Sequence, residues 1–460
     1  MAVTPELVAL DALGPSGAYH AHQRQTIADV TGNAVAELSL VPRLFVTRAM
    51  AALHKGETLP VDERVAALAR AGARYSTGVV DGMALADHEL IVSRVTGLPI
   101  SVVREASQMI ERAAVEAYAS AQAARPVGAV REWRDPLVRL GGAVWTRRGD
   151  VFAVHAPGNE PAVHALWLEA LALGYRVAVR PSRRDPFTPH RLISALRTCG
   201  FSDDQVVLLP TSHEVADEIL RGADLAIAYG GEDVMRKYAG LASMLPQGPG
   251  RSKILLTADV DWREHVDVIV SSISDLAGRA CTNTTAVFVE GDPTPLARAI
   301  AERLAAFPSL PPEDEDAVLP VLPVAEARRF EQYLLAKAQG SEPWLGGHGI
   351  VDELGDGSAV LRPAVLQLAR PDAPQARIEL AFPCVWVAPW TRDAGIEVLK
   401  ETLVLTALTD DAELVDALVA DPTIRNVYVG DHPTWLLEPG LPHDGYLAEF
   451  LMEAKAVIRG

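Results

Sequence analysis

From residue 151 onward the chain repeats one unit: a short run of β-formers, a loop rich in Gly, Pro and Asn, and a helical stretch. Val151-Phe152-Ala153-Val154 runs into the loop 156–161 and a helix closed by Gly174. Arg176-Val177-Ala178-Val179 runs into the loop 180–189 and a helix closed by Gly200. Val206-Val207-Leu208-Leu209 and Leu225-Ala226-Ile227-Ala228-Tyr229 continue the series, the last entering Gly230-Gly231-Glu232. Thr211 and Glu214 have the spacing of a capping box and predict a helix start between the two. Unbroken apolar runs of this length suit strands covered on both faces, because a solvated face would impose alternation. Strands alternating with helices build a parallel sheet with right-handed crossovers, and such sheets bind ligands at the carboxyl ends of their strands.

The rest of the chain is read around this core. Up to residue 124 it is rich in Ala, Val, Arg and Glu at helical spacing, which predicts packed helices. Turn residues and β-formers from Gly141 to Asp150 predict a hairpin. A second α/β stretch begins near Lys253 and ends in an Ala/Leu-rich helix at 412–420, with the acidic loop Pro311-Pro312-Glu313-Asp314-Glu315-Asp316 inside it; residues 426–430 and 442–447 return to strand and turn. At 460 residues and 49% apolar content, two domains are expected. A formal charge of −18 without a basic run excludes nucleic acid and anionic membrane surfaces as partners. The segment Met1-Ala2-Val3-Thr4-Pro5-Glu6 has no signal-peptide pattern, and the apolar stretch 161–175 is too short to span a bilayer, so a cytoplasmic protein is expected. The three cysteines, Cys199, Cys281 and Cys384, have neither CxxC nor Cys/His spacing, which argues against a disulfide framework and a metal site.

Cys281 lies in the polar stretch Gly278-Arg279-Ala280-Cys281-Thr282-Asn283, where a thiol is held in a loop and remains open to ligands. Cys199 and Cys384 read as small buried hydrophobes. His155 and His443 read as packing or hydrogen-bonding residues rather than acid–base groups.

Four loops occur in order: Ala156-Pro157-Gly158-Asn159-Glu160-Pro161, Arg180-Pro181-Ser182, Gly230-Gly231-Glu232 and Gly278-Arg279-Ala280-Cys281. Together they resemble the aldehyde dehydrogenase superfamily from about residue 65 to the C-terminus. The resemblance implies an α/β fold with a Rossmann-type cofactor domain, an α/β catalytic domain and a small oligomerisation arm. Its implied divisions are 1–124 (helical part of the cofactor domain), 125–150 (hairpin of the arm), 151–252 (cofactor core), 253–425 (catalytic domain) and 426–460 (C-terminal oligomerisation segment). It makes Cys281 the nucleophile and Asn159 an oxyanion donor. It assigns Arg180, Ser182, Arg183, Gly230, Gly231, Glu379 and Phe382 to a nicotinamide cofactor, and a homodimer or homotetramer to the assembly. Arg183 and Arg184 favour NADP (NADPH) over NAD, through contact with a 2′-phosphate.

One departure bears on the reaction. Where hydrolytic members of that family carry a Glu in Glu-Leu-Gly-Gly-Lys, this chain reads Gln247-Gly248-Pro249-Gly250-Arg251, and an amide cannot serve as a general base. The expected reaction is therefore NAD(P)H-dependent reduction of an acyl thioester, acyl-CoA or acyl carrier protein, to an aldehyde. This is the activity of the acylating branch that includes the fatty acyl-CoA reductases of bacterial luminescence, to which the segments around His155, Arg180 and Phe382 look similar. The alternatives are oxidation of an aldehyde to an acid, and a non-catalytic protein of the same fold. A helix ending at Gly278 would raise the pKa of Cys281 through its dipole, leaving Arg279 or the cofactor to activate the thiol.

Overall fold

The computed structural model describes residues 7–438 and 440–458, so the reading of Met1–Glu6 lies outside the described residues. Five short strands come first: β1 (Val8–Leu10), β2 (Ala12–Gly14), β3 (Gly17–Tyr19), β4 (Arg24–Ala28) and β5 (Ala34–Ser39). Four helices follow: α1 (Arg43–Leu53), α2 (Val61–Thr77), α3 (Leu85–Thr96) and α4 (Ile100–Ala123). The expected helical opening therefore holds only from Arg43.

After β6 (Gly142–Arg147), the repeating unit appears as β7 (Val151–His155), α5 (Leu168–Leu173), β8 (Arg176–Arg180), α6 (Phe187–Thr198), β9 (Val206–Leu208), α7 (His213–Arg221), β10 (Leu225–Tyr229), α8 (Glu232–Tyr238) and β11 (Met244–Gln247). These strands form a sheet in the order β11-β10-β7-β8-β9-β2-β3, parallel except for β2 and β3 at one edge. Because side chains alternate across a strand, Phe152, Val154, Val177 and Val179 pack on the side of α2, α4, α5 and α6. Val151, Ala153, Ala178 and Val207 pack on the side of α1 and α7. Burial on both faces explains the continuous apolar runs, and each fully buried Val contributes roughly 1.5–3 kcal/mol.

The second half contains β12 (Ser252–Leu256), α9 (Val266–Ser274), β13 (Thr284–Glu290), α10 (Thr294–Ala305), β14 (Val321–Pro323), α11 (Val324–Lys337), β15 (Glu342–Leu345), β16 (Val351–Glu353), β17 (Ser358–Leu361), β18 (Ala364–Gln367), β19 (Cys384–Trp390), β20 (Thr402–Leu408), α12 (Ala412–Ala420), β21 (Ile424–Val429), α13 (Leu447–Leu451) and β22 (Met452–Val457). Its main sheet runs β15-β18-β19-β13-β12-β20-β21, parallel except for β15. It too is covered on both faces: Phe288 and Trp386 face one core, Val287 and Val385 the other. The acidic loop at 311–316 is tied back to the helices, since Glu313 pairs with Arg94 and Glu315 with Arg104.

Three local expectations are corrected. The segment Gly141–Asp150 does not fold back as a hairpin; β6 pairs antiparallel with β22 from the far end of the chain. The division at 425/426 cuts through β21, which is paired to β20 as an edge of the second sheet. Thr211 makes no capping box: Ser212 is the N-cap of α7, without a side-chain bond, and the Thr211 hydroxyl accepts from Arg180 instead.

Candidate active site

The strand order places a switch point between β7 and β10. From β7 the chain steps outward to β8 and β9 on one side, then crosses back to β10 on the other. The loops after β7 and β10 therefore diverge and leave a crevice, the expected place for a ligand in an open parallel sheet. Here it opens into a cavity of about 470 Å³ lined by Asn159, Gly230, Gly231, Gln247, Cys281, Glu379, Phe382 and His443. Arg180, Ser182 and Arg183 do not line it; they lie beyond it, at the end of β8 and in the following loop.

The backbone around Cys281 is built by close approach. Helix α9 stops at Ser274, and Leu276, Ala277 and Gly278 follow in left-handed conformation, with φ of 55°, 58° and 64°. A Cβ on Gly278 would lie 2.4 Å from the Pro383 nitrogen, so both the turn and the packing require glycine. Leu276 and Ala277 hold conformations that side chains disfavour, a strain the surrounding packing must sustain. Asn283 clamps the loop: its Oδ1 accepts from the Ala280 N–H at 2.9 Å, and its Nδ2 donates to the Ser272 and Asp275 carbonyls at 3.1 and 2.8 Å. The Ser252 hydroxyl donates to the Cys281 carbonyl at 3.1 Å, and a Cβ on Gly250 would fall 1.8 Å from that oxygen. Cys281 thus sits beyond a left-handed turn rather than directly at the end of helix α9.

His443 faces the thiol, and Asp444 stands behind it. His443 Nε2 lies 3.5 Å from the Cys281 sulfur, and Nδ1 of the same ring lies 2.6 Å from Asp444 Oδ2. An ionised carboxylate only accepts, so Nδ1 carries the proton and Nε2 is left to take the proton of the thiol. Burial opposes a charge on His443, but the neighbouring sulfur and the Asp444 carboxylate outweigh it and raise the imidazole well above its ordinary 6.5. Asn426 fixes the loop by donating to the His443 carbonyl at 2.5 Å. Tyr229, half-buried at the end of β10, is pushed up by desolvation and by Cys281 and Asp444 nearby, and stays protonated. His443 was expected to be a packing or hydrogen-bonding residue, and it bonds both Cys281 and Asp444; its place beside the thiol was not expected. It lies 162 residues from Cys281 in the sequence; the one local signal was a His directly followed by Asp in an otherwise irregular turn.

Asn159 donates one amide hydrogen to the Arg279 carbonyl at 3.1 Å, which leaves the second free beside the Cys281 loop. Arg279 does not activate the thiol: its buried guanidinium donates to the Thr96 carbonyl at 2.6 Å, and burial pushes its pKa down to about 10. Gln247 is buried at the end of β11 and lines the cavity as an amide. Glu379 accepts from the Arg251 N–H at 2.7 Å, and burial raises its pKa. His155 behaves as expected: it bonds to the Ala216 carbonyl at 3.1 Å, and burial pushes its pKa down to about 3.

At the rim of β8, the Arg180 Nε donates to the Thr211 hydroxyl at 2.9 Å. Ser182 accepts from the Arg184 N–H at 3.2 Å. Arg184 is paired with Glu326 at 2.7 Å and is not available to an anion, whereas Arg183 is exposed and makes no ion pair among the described residues. Arg180, burial and Arg183 together hold His213 below its ordinary value, which marks this rim as electropositive. Among the described residues there is no cluster of three or more metal-binding side chains, and no helix long and apolar enough to cross a membrane.

The aldehyde dehydrogenase family model matches residues 45–403. Among solved structures, the chain is similar to the gamma-glutamyl-gamma-aminobutyraldehyde dehydrogenase of Burkholderia cenocepacia (19% identity, TM-score 0.80, covering 98% of this chain and 97% of that one). It is also similar to an indole-3-acetaldehyde dehydrogenase complexed with NAD+ (17%, TM-score 0.83, 98% and 97%). A third similar structure is the glyceraldehyde-3-phosphate dehydrogenase of Methanocaldococcus jannaschii complexed with NADP (16%, TM-score 0.78, 95% and 99%). At these identities the structures speak for the fold, while the family match spans well over half of the chain: the protein belongs to the aldehyde dehydrogenase family, oxidoreductases that act on aldehydes.

Proposed function

We propose that the protein is a nicotinamide-dependent aldehyde dehydrogenase in which Cys281 carries the acyl group and His443, oriented by Asp444, is the proton acceptor. The observation that carries this reading is the chain Cys281 Sγ, His443 Nε2, His443 Nδ1, Asp444 Oδ2 on one wall of the cavity. His443 takes the thiol proton while the sulfur attacks the carbonyl carbon and a C–S bond forms. The free amide hydrogen of Asn159 meets the oxygen that gains charge, a contact worth about 3 kcal/mol in comparable sites. A nicotinamide held beside Glu379 and Phe382 would supply the hydride acceptor for the former carbonyl carbon, so that Cys281 is left carrying a thioester. With the sulfur acylated, His443 loses the charge that held its proton and releases that proton to solvent. The neutral imidazole then accepts a proton from water as the water oxygen attacks the thioester carbon, and the C–S bond breaks to release the acid and return the thiolate beside the imidazolium.

The residues fit that cofactor. A Cβ on Gly230 would strike Val234 at 2.3 Å, whereas one on Gly231 would meet nothing within 4 Å, so the turn presents open backbone at the switch point. Gly230 and Gly231 would approach the pyrophosphate, with Arg251 drawing Glu232 aside. Glu379 and Phe382 would flank the nicotinamide ribose. Arg180, Ser182 and Arg183 would hold the adenosine end, and the electropositive rim favours a 2′-phosphate, hence NADP over NAD. NAD+ in the indole-3-acetaldehyde dehydrogenase and NADP in the M. jannaschii enzyme are the cofactors of two similar folds. The β6–β22 pair, with exposed Leu137, Leu140 and Ile458 nearby, would serve as the arm of a homo-oligomer.

A second reading rests on Gln247. With an amide in place of the carboxylate base, the acyl-enzyme would exchange with a thiol rather than with water. In reverse, the protein would reduce an acyl thioester, acyl-CoA or a carrier-bound acyl group, to an aldehyde. One experiment separates the two: aldehyde and NAD(P)+ are supplied with and without CoA, acyl-CoA is supplied with NADPH, and acid, thioester and aldehyde are quantified. Acid formed without thiol supports oxidation by His443-activated water. Turnover confined to CoA-containing mixtures overturns it in favour of the thioester reading. Cys281→Ala should abolish both.

A further inference from the structure

The cavity of about 470 Å³ is lined by five carboxylate residues, Glu160, Glu169, Glu379, Glu438 and Asp444. Three are committed to protein partners: Glu160 accepts from the Ala162 N–H at 2.7 Å, Glu379 from the Arg251 N–H and Asp444 from His443. Glu438 is exposed to solvent. Glu169 differs from all four. It stands in the first turn of α5, half-buried, and its carboxylate makes no hydrogen bond or ion pair among the described residues. Burial alone pushes its pKa up to about 7. The cations of the lining do not answer it: Arg279 is spent on the Thr96 carbonyl, His443 is engaged by Asp444 and the Cys281 sulfur, and Arg112 is exposed.

The surface shared with Glu169 is apolar. Ala113 and Ala117 of α4 and Leu166 line the same cavity, and α4 and α5 pack against each other. A carboxylate desolvated among such groups carries an unrecovered cost, which a ligand that brings an opposite charge removes. We infer that Glu169 is a substrate-selecting residue, and that the protein acts on straight-chain aldehydes or acyl groups bearing a protonated amine at the end remote from the carbonyl. An apolar passage accepts the methylene chain, and Glu169 accepts the ammonium N–H. This inference rests on the proposed function for its chemistry, but the amine site has a readout of its own.

The test compares 7-aminoheptanal with heptanal in the native protein, Glu169→Gln and Glu169→Leu. The native protein should favour the amine by about tenfold or more in kcat/KM, the scale of one charged hydrogen bond. Gln should erase the preference, and Leu should favour heptanal while keeping its turnover. Equal ratios in native and Leu proteins would overturn the inference. Binding of n-hexylammonium by calorimetry needs no turnover. Binding to the native protein that is lost in Glu169→Leu supports the site even if neither aldehyde is oxidised, an outcome that would sink the proposed function alone. Equal binding to both proteins, or none to either, overturns the inference.

Discussion

Two walls of the cavity meet at Cys281, and they were built by different parts of the chain. One wall is the end of β11, where Gln247 occupies the place at which the family resemblance implies a carboxylate base. The other is the C-terminal loop, where the His443 imidazole faces the Cys281 sulfur and is held by Asp444; under the proposed function it is the proton acceptor that Gln247 cannot be. On that reading an amide on the first wall does not leave the thiol without a base. The difference shows that loss of one motif residue fixes the chemistry of a site only after the opposite wall is known.

The comparison predicts a ranking of effects. His443→Asn should cost the most after loss of the nucleophile, about 10²–10⁴-fold in kcat/KM for aldehyde oxidation, the usual contribution of a positioned acid–base group. Steady-state kinetics near neutral pH check it, and an effect under a few-fold would return the role of base to some other group. Asn159→Ala, which removes the oxyanion donor common to both readings, should lower kcat by about 10²–10³-fold with any substrate. Single-turnover acylation of Cys281 reports this loss; an unaffected rate would mean the oxyanion points elsewhere. Gln247→Glu should be the smallest change, speeding acyl-enzyme hydrolysis only a few-fold, since a competent base already faces the sulfur. A rise of several orders of magnitude in the thioesterase rate would instead show that His443 does not activate water.

The parts of this molecule legible in the sequence are those whose pattern is local. β7, β8, β9 and β10 read directly because their cores lie on both faces, which leaves unbroken apolar runs. Asn159, Gly230, Gly231, Glu379 and Phe382 converge on one cavity with Cys281. The first five strands escaped because they are short and mixed in character; Arg24–Ala28, with the sequence RQTIA, alternates too weakly to separate from a loop. The pairing of β6 with β22, and the approach of His443 to Cys281, join segments hundreds of positions or well over a hundred apart. No periodicity encodes such contacts. The Arg184–Glu326 pair is of the same kind, and it removed one of the arginines expected at the cofactor phosphate.

The central claim, that His443 holds the proton of the Cys281 thiol, is tested most directly by the pH dependence of Cys281 alkylation with iodoacetamide in the native protein and in His443→Asn. Peptide mapping keeps the other cysteines apart; burial raises the thiol of Cys199 and pushes that of Cys384 up to about 12. Because His443 is raised well above 6.5, its imidazolium persists through neutral pH and is lost only as the pH climbs through that raised value. Native Cys281 should therefore react fast and almost independently of pH around neutrality, while the Asn variant should react about tenfold or more slowly there and accelerate steeply as the medium becomes alkaline. Superimposable profiles for the two proteins would contradict the account.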